Sequence, residues 1–475
     1  MKRVSTALVV TILFFSGCAV GPNYKRPVTP VSPHWIDRAA GTSTGEPADQ
    51  WWKSFNDHQF DKLVQQAVQA NLDLQLAAAR IAEARAARGV AKSELFPTVE
   101  ATATASRNRQ RVVALPAGPK GSGQIVPIEF NNFQGGFDAA WEVDVFGRIR
   151  RGLQAASADA AAAAEARWAV LVAVLGELGR SYAELRGFQL RLDIANKNIL
   201  IQQDTLNLTQ ARAKAGLATE LDVVRAAAQL ETTKSAVPTL QSGVETSIHR
   251  ISVLLGKEPG ALRAELLPGA PVPVTPPEVP VGLPLELLER RPDIRQAEAQ
   301  IVAATARVGE AKAEFFPRFL LLGTAGRQAS QLHDITLGMG NFFAAGPAVS
   351  LPIFTGGRIR SQVQVQDARL QQSVITYRST ILTALEETEN ALVAYAEEQV
   401  RREHLETAVK SNEESVRLSS ELYKAGLTDF LSVLDAQREL YADEDLLAQS
   451  RTAQTVNLIA LYKALGGGWQ SFAQP

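Results

Sequence analysis

Few residues in this 475-residue chain are spaced for chemistry. Five histidines (His34, His58, His249, His333 and His404) lie scattered, and no two have the separation that lets side chains share a metal ion. No glycine-rich phosphate loop is present, and serine, histidine and aspartate are too common to single out a triad. An enzyme is therefore the least supported class, and no metal or cofactor is expected. One side chain stands apart. Cys18 is the only cysteine, which excludes an internal disulfide. It follows Lys2-Arg3, the run Ala7 to Phe15 and Ser16-Gly17, which read as an export signal over residues 1–17. That run is too short to span a bilayer. A thiol exposed at a new N-terminus can be acylated, and each buried methylene then adds about 0.8 kcal/mol of anchoring. A plain thiol is the competing reading.

What would position such a residue is a duplicated chain. Residues 71–97 match residues 291–317 at 12 positions, 220 apart. A second echo, 210 apart, pairs Gly147-Arg148-Ile149-Arg150 with Gly357-Arg358-Ile359-Arg360, and Lys214-Ala215-Gly216-Leu217 with Lys424-Ala425-Gly426-Leu427. Each half thus carries the same elements in one order, with ten residues fewer between the echoes in the second. Spacing and composition predict an extended N-terminal arm over 18–59, lipidated if Cys18 is acylated, a first repeat over 60–257, a proline-rich linker over 258–283, a second repeat over 284–466 and a tail over 467–475.

Within each repeat the period changes twice. Helical spacing runs from Phe60 to Phe96 and from Pro284 to Phe316, closed by Pro97 and Pro317. Period 2 follows. Val99, Ala101, Ala103 and Ala105 alternate with polar residues, and Phe133, Gly135, Phe137, Ala139, Trp141 and Val143 alternate with Asn132, Gln134, Asp138 and Glu142. The second copy is weaker, with Phe319, Leu321, Gly323 and Ala325, then Phe343, Ala345, Val349 and Leu351. Each repeat offers one hairpin of strands about 10 residues long, fitting a membrane barrel with a wet interior. A half-buried soluble sheet is the alternative. Four strands cannot close a barrel, so the membrane reading requires several copies of the chain.

Past each hairpin a helix runs from Gly147 to about Ala213 and from Gly357 to about Lys424, roughly 100 Å at 1.5 Å per residue. Leu370, Val374, Tyr377, Ile381, Leu385, Leu392 and Tyr395 keep a coiled-coil seam. Both helices end in a glycine turn, at Gly216 and Gly426, with Thr219 and Thr428 predicted as caps of the returning helices and Asp222 completing a capping box after Thr219. A kink is expected at Pro238 in the first copy only.

Together with Trp51-Trp52, Leu287-Leu288-Glu289-Arg290-Arg291-Pro292-Asp293-Ile294, Leu434-Asp435-Ala436-Gln437-Arg438 and Leu465-Gly466-Gly467-Gly468-Trp469, this organisation resembles the outer membrane factor family. Within it the chain is similar to the TolC-like lipoprotein branch typified by OprM and NodT. The residues Phe15-Ser16-Gly17-Cys18 resemble a bacterial lipobox, with Phe15 where Leu is usual, and Ala19 implies sorting to the outer membrane.

The resemblance implies a homotrimer: a twelve-stranded barrel, four strands per chain, continued by an α-helical barrel across the periplasm. Its role would be the exit duct of a tripartite efflux system, passively conducting small molecules delivered by a proton-driven inner-membrane pump through a periplasmic adaptor. The exit duct of a type I protein-secretion system is the alternative. Lys214, Gly216 and Leu217, with Lys424, Gly426 and Leu427, match the turns where an adaptor docks. Leu431 and Asp435 match the periplasmic constriction; four apart, they share a helical face, and threefold symmetry would gather three carboxylates that resist joint ionisation. A solvated helix-tip carboxylate is the bland reading of Asp435. Arg225 occupies the equivalent position in the first repeat, so neighbouring hairpins could latch the tip through charge pairs.

Other classes fit less well. A net charge of −1 with no basic stripe interleaved with aromatics argues against nucleic acid. A periplasmic adaptor has one helical hairpin rather than two copies each preceded by strands, and a coiled-coil lipoprotein would lack the strands.

Overall fold

The computed structural model describes residues 19–36, 42–43, 45–114, 124–336 and 340–473. The export signal and Cys18 lie outside the described residues. Helices α1 (His58–Ala70) and α2 (Leu72–Ser93) lead into strands β1 (Thr98–Ala114) and β2 (Gln124–Val143), then helices α3 (Arg148–Lys214) and α4 (Glu220–Leu254). The second copy supplies α5 (Pro292–Ala313), β3 (Arg318–Ala329), β4 (Asn341–Ser350), α6 (Arg358–Lys424) and α7 (Phe430–Ala464). The duplication holds to the residue: α3 and α6 are each 67 residues long, α4 and α7 each 35.

Two compact units cut across the repeats, each collecting matching parts of both. The described residues of one fall within Met1–Pro27, Ala82–Ala161 and Glu298–Ile375; those of the other fall within Val28–Ile81, Ala162–Ala297 and Thr376–Pro475. The first holds the sheet, ordered β1-β2-β3-β4 with every neighbour antiparallel. The second is helical, with a core in which Trp51 stacks on Tyr462 and Phe60 on Tyr182. Among the described residues no helix is long and apolar enough to cross a membrane.

The expected helix Phe60–Phe96 is two. Asn71 has extended backbone, its side-chain oxygen accepts from the Leu74 N–H (3.1 Å), and its amide donates to the Leu254 carbonyl (2.8 Å). Its copy Arg291, 220 residues on, is also extended because Pro292 disfavours helix before it, so the run from Pro284 breaks at the matching place. α4 continues as helix through Pro238. The seam residues of α6 are all at least half-buried, as the spacing predicts. The proline-rich linker is packed: Leu262, Leu266, Val279 and Val281 are buried, and Val279–Pro280 pairs in parallel with Thr42–Ser43. Buried Arg186 ties it down, donating to the Pro268 carbonyl (3.0 Å) and to Gln59 and Gln189.

Strand length departs from expectation. β1 spans 17 residues and β2 20, against 12 and 10 for β3 and β4. β3 covers β2 only from Phe133 to Val143, so β1 and β2 run on as a two-stranded ribbon through Arg107↔Asn131 and Val112↔Val126. The alternation changes phase at that point, and the pattern reads as though the strands had ended.

Candidate functional site

The sheet sorts its side chains by the period-2 pattern most fully in β1 and β2, while β3 and β4 also place Leu320, Leu322 and Phe342 on the otherwise polar face. In register, Val143, Trp141, Ala139 and Phe137 stand beside Phe319, Leu321, Gly323 and Ala325, and these beside Val349, Pro347, Ala345 and Phe343. All share one apolar face with Val99 to Ala105 of β1. The other face carries Glu100, Thr102, Asp138, Glu142, Thr324 and Gln328. There the Thr102 hydroxyl donates to the Asp138 carboxylate at 2.9 Å. The sheet curls around this polar face, enclosing a concavity of about 580 Å³ lined by Glu100, Asp138 and Thr324. Trp141 sits at the edge of the apolar face, its indole N–H held by the Leu95 carbonyl at 3.0 Å, a setting that suits an amphipathic ring at a membrane interface. Main-chain groups of β1 and β4 on their outer edges have no strand partner among the described residues. In hydrocarbon such edges are costly, so further strands must cover them.

At the other functional region, both helical hairpins turn by the same device. Gly216 and Gly426 each have φ +74, the Leu217 and Leu427 N–H groups reach back to the Arg212 and Leu422 carbonyls (2.8 and 2.9 Å), and the glycine N–H groups bond Ala213 and Tyr423. This is the Schellman closure, which needs a left-handed residue. A Cβ at either glycine would meet nothing within 4 Å, so conformation and not space selects it. Leu217, Leu427, Lys214 and Lys424 are exposed on these turns. Thr219 caps α4 in a full capping box with Asp222. In the second turn the cap is Asp429, not Thr428: Asp429 accepts from the Ser432 N–H at 3.1 Å, while the Thr428 hydroxyl bonds the Ser432 hydroxyl. Asp429 is the 210-residue counterpart of Thr219, so the repeat offset names the cap correctly.

Leu431 and Asp435 lie exposed on the first turns of α7. Asp435 meets Arg438 on its own helix at 3.8 Å, a long contact between exposed groups that adds little. Arg225 is exposed on α4. Within one chain its charge acts on Asp429, whose carboxyl is held below the usual range chiefly by its bonds to Ser432 and further by Arg225. The structure therefore brings Arg225 toward Asp429 rather than Asp435.

Two residues beside these turns escape the repeat pattern. Tyr423 packs on Phe430 (5.7 Å, 58°), and the Arg212 guanidinium lies 4.5 Å over the Tyr423 ring. With Leu206, Ala226, Leu230, Val433 and Leu434 they form a small core that joins the two hairpins. Their counterparts are Ala213 and Glu220, so an aromatic pair present in one copy alone was the available signal. Among the described residues no group of histidine, cysteine and carboxylate side chains could hold a metal ion.

Residues 63–257 and 283–467, the two halves of the duplication, match the outer membrane efflux protein family. The chain belongs to that family. It is 32% identical over 465 residues to nodulation protein T of Rhizobium leguminosarum bv. trifolii, covering 97% of each chain. It is 30% identical to the toluene efflux pump outer membrane protein TtgC of Pseudomonas putida, covering 99% of this chain and 96% of that one. Among solved structures, the outer-membrane channel OprN superposes with a TM-score of 0.87 at 35% identity, over 95% of this chain and all of that one. CusC superposes with a TM-score of 0.81 at 26% identity, over 95% and 100%. The fold of this outer membrane efflux protein is thus that of the TolC-like channels, with its sheet and both helical hairpins included in the match.

Proposed function

We propose that the protein is the exit duct of a tripartite efflux system, through which small molecules pass passively after an inner-membrane pump and a periplasmic adaptor deliver them. The observation that carries this reading is the curled four-stranded sheet, polar within and apolar without, with both edges unpaired. Three copies supply twelve strands and close the wall, and the polar concavity becomes a wet lumen. The glycine turns, with exposed Leu217 and Leu427 flanked by Lys214 and Lys424, offer the adaptor two equivalent apolar tips per chain. Arg225 and Asp435 on neighbouring chains form the periplasmic latch, with Leu431 lining the constriction. Each exposed pair is worth about 0 to 1 kcal/mol, a gate weak enough for partner proteins to open.

Lipidation of Cys18 completes the anchoring. Its support is the lipobox-like Phe15-Ser16-Gly17-Cys18 sequence, together with Ala19 lying against Gly147, where β2 gives way to α3. Mass spectrometry of the membrane-extracted chain should find an acylated N-terminal cysteine, and a free Met1 or an unmodified thiol would refute it.

The whole reading is tested by reconstitution. The purified chain should migrate as a trimer and pass ions in planar bilayers, and Asp435→Ala should raise single-channel conductance. A water-soluble monomer without conductance would sink the duct; unchanged conductance in the variant would remove Asp435 from the gate. Drug susceptibility and secretome assays on a deletion strain separate efflux from protein secretion.

A further inference from the structure

The ribbon that extends β1 and β2 inverts the polarity of the sheet. From Val143 to Phe133 the odd-numbered residues of β2 lie on the apolar face, opposite Val99 to Ala105 of β1. These eleven residues, at about 3.4 Å each and tilted about 40°, rise roughly 26 Å, close to the ~25 Å apolar band of a membrane barrel. On the next rungs of the same face the residues of β1 are Arg107, Arg109 and Arg111, opposite Asn131, Glu129 and Pro127. The opposite face changes the other way in β2, to Phe130, Ile128 and Val126, opposite Asn108, Gln110 and Val112 of β1. Basic side chains thus begin on the membrane-facing side where the apolar band ends.

The charge on this ladder is not cancelled. Among the described strand residues Glu129 is the only acid on the face. It meets Arg107 at 2.8 Å and Arg109 at 3.6 Å, and all three side chains are well exposed. Arg111 faces Pro127 and has no carboxylate partner among the described residues. Arg327 of β3 adds a further guanidinium on the same face, opposite Gly135, with one N–H donated to the Ile335 carbonyl at 3.1 Å. A surplus of planar, forked donors at a membrane boundary suits phosphate.

We infer that Arg107, Arg109 and Arg111 form a binding face for the phosphate groups of the phosphorylated glycolipid in the surrounding outer leaflet. The inference rests on the membrane-channel reading above. Native mass spectrometry of the full-length assembly, titrated with lipid A and separately with phosphatidylcholine, tests it. The wild type should prefer lipid A, and the R107Q/R109Q/R111Q variant should lose about fivefold in affinity per arginine removed. The triple lysine variant should keep most of the preference, and Glu129→Gln, which frees two guanidinium groups, should strengthen it. Undiminished lipid A affinity in the glutamine variant would overturn the assignment, as would equal displacement by inorganic phosphate at matched phosphate concentration. Conductance in phosphatidylcholine bilayers separates the two layers of argument. Normal conductance with undiminished lipid A affinity rejects the arginine face alone, whereas a silent wild-type channel rejects the channel reading itself.

Discussion

α2 and α5 are copies of one sequence, yet one chain covers only the second. From Ile301 to Ala313 no residue of α5 is exposed, whereas most of Ile81 to Ser93 in α2 is. The difference is visible at a single repeated glycine. A Cβ on Gly309 would strike Arg151 and the Val20 carbonyl, because the N-terminal arm crosses α5 there with Gly21 against Gly309; a Cβ on Gly89 would meet nothing. Arg151 secures the arm through the Val20 carbonyl and Asn23, and Tyr24 donates to Glu298 of α5 at 2.8 Å. The first two turns of α3 are buried or half-buried at every position but Gln154, where those of α6 are mostly exposed. Repeat symmetry therefore marks α2 and the start of α6 as the faces that neighbouring copies would cover in the assembly proposed above.

Loss of assembly is the largest effect expected from this contrast. Ile375 and Leu382, 65% and 64% exposed on α6, should tolerate glutamate in an isolated chain but abolish the oligomer; a double variant that still migrates as a trimer on native gels would break the comparison. Next comes Pro238 of α4, whose counterpart in α7 is the buried Ala448. A helix-interior proline costs about 3 kcal/mol, so Pro238→Ala should stabilise by up to that amount in chemical denaturation, and destabilisation would mean that the proline serves a bend the first copy needs.

The paired glycines sharpen the contrast further. Gly309→Ala should destabilise by about 1 to 3 kcal/mol through overpacking, while Gly89→Ala in a monomeric variant should gain up to about 1 kcal/mol from helix propensity. Equal melting shifts for the two would remove the arm as the cause.

The smallest effect concerns Glu444, the counterpart of exposed Lys234. Burial raises its carboxyl pKa, Glu413 adds to the rise, and a hydrogen bond from Asn198 (2.8 Å) opposes it. At low pH folded and unfolded chains both hold the proton. As pH passes the ordinary carboxylate value of about 4.3, the unfolded chain ionises first, so stability falls until the folded group ionises too. Glu444→Gln should therefore raise the melting temperature at neutral pH, with the gain fading below about pH 4; a gain independent of pH would reject the assignment.

Most of the architecture was legible because one repeat checks the other. The strand faces, the seam of α6 and both glycine turns follow from spacing alone, since each is a local rule applied twice. Misreadings arose where local rules compete. Asn71 hides a helix break within helical periodicity, because its side chain caps the helix that follows. Thr428 looks like a cap until Ser432 is seen to bond Asp429. The ribbon beyond Ser106 was invisible because its alternation inverts. At the tips, Arg225 and Asp435 stood out as opposite charges at one repeated position, but within one chain Arg225 acts on Asp429 instead. The Tyr423 core needed three-dimensional contacts between hairpins far apart in the chain.

The unpaired edges of β1 and β4 also bear on heredity. In the twelve-stranded wall proposed above, each copy presents both borders to its neighbours, so a lesion on either border is shared by every ring that includes it. In a cell carrying a normal and a damaged allele, mixed rings will outnumber sound ones, and such a lesion should behave as a dominant trait rather than a silent one.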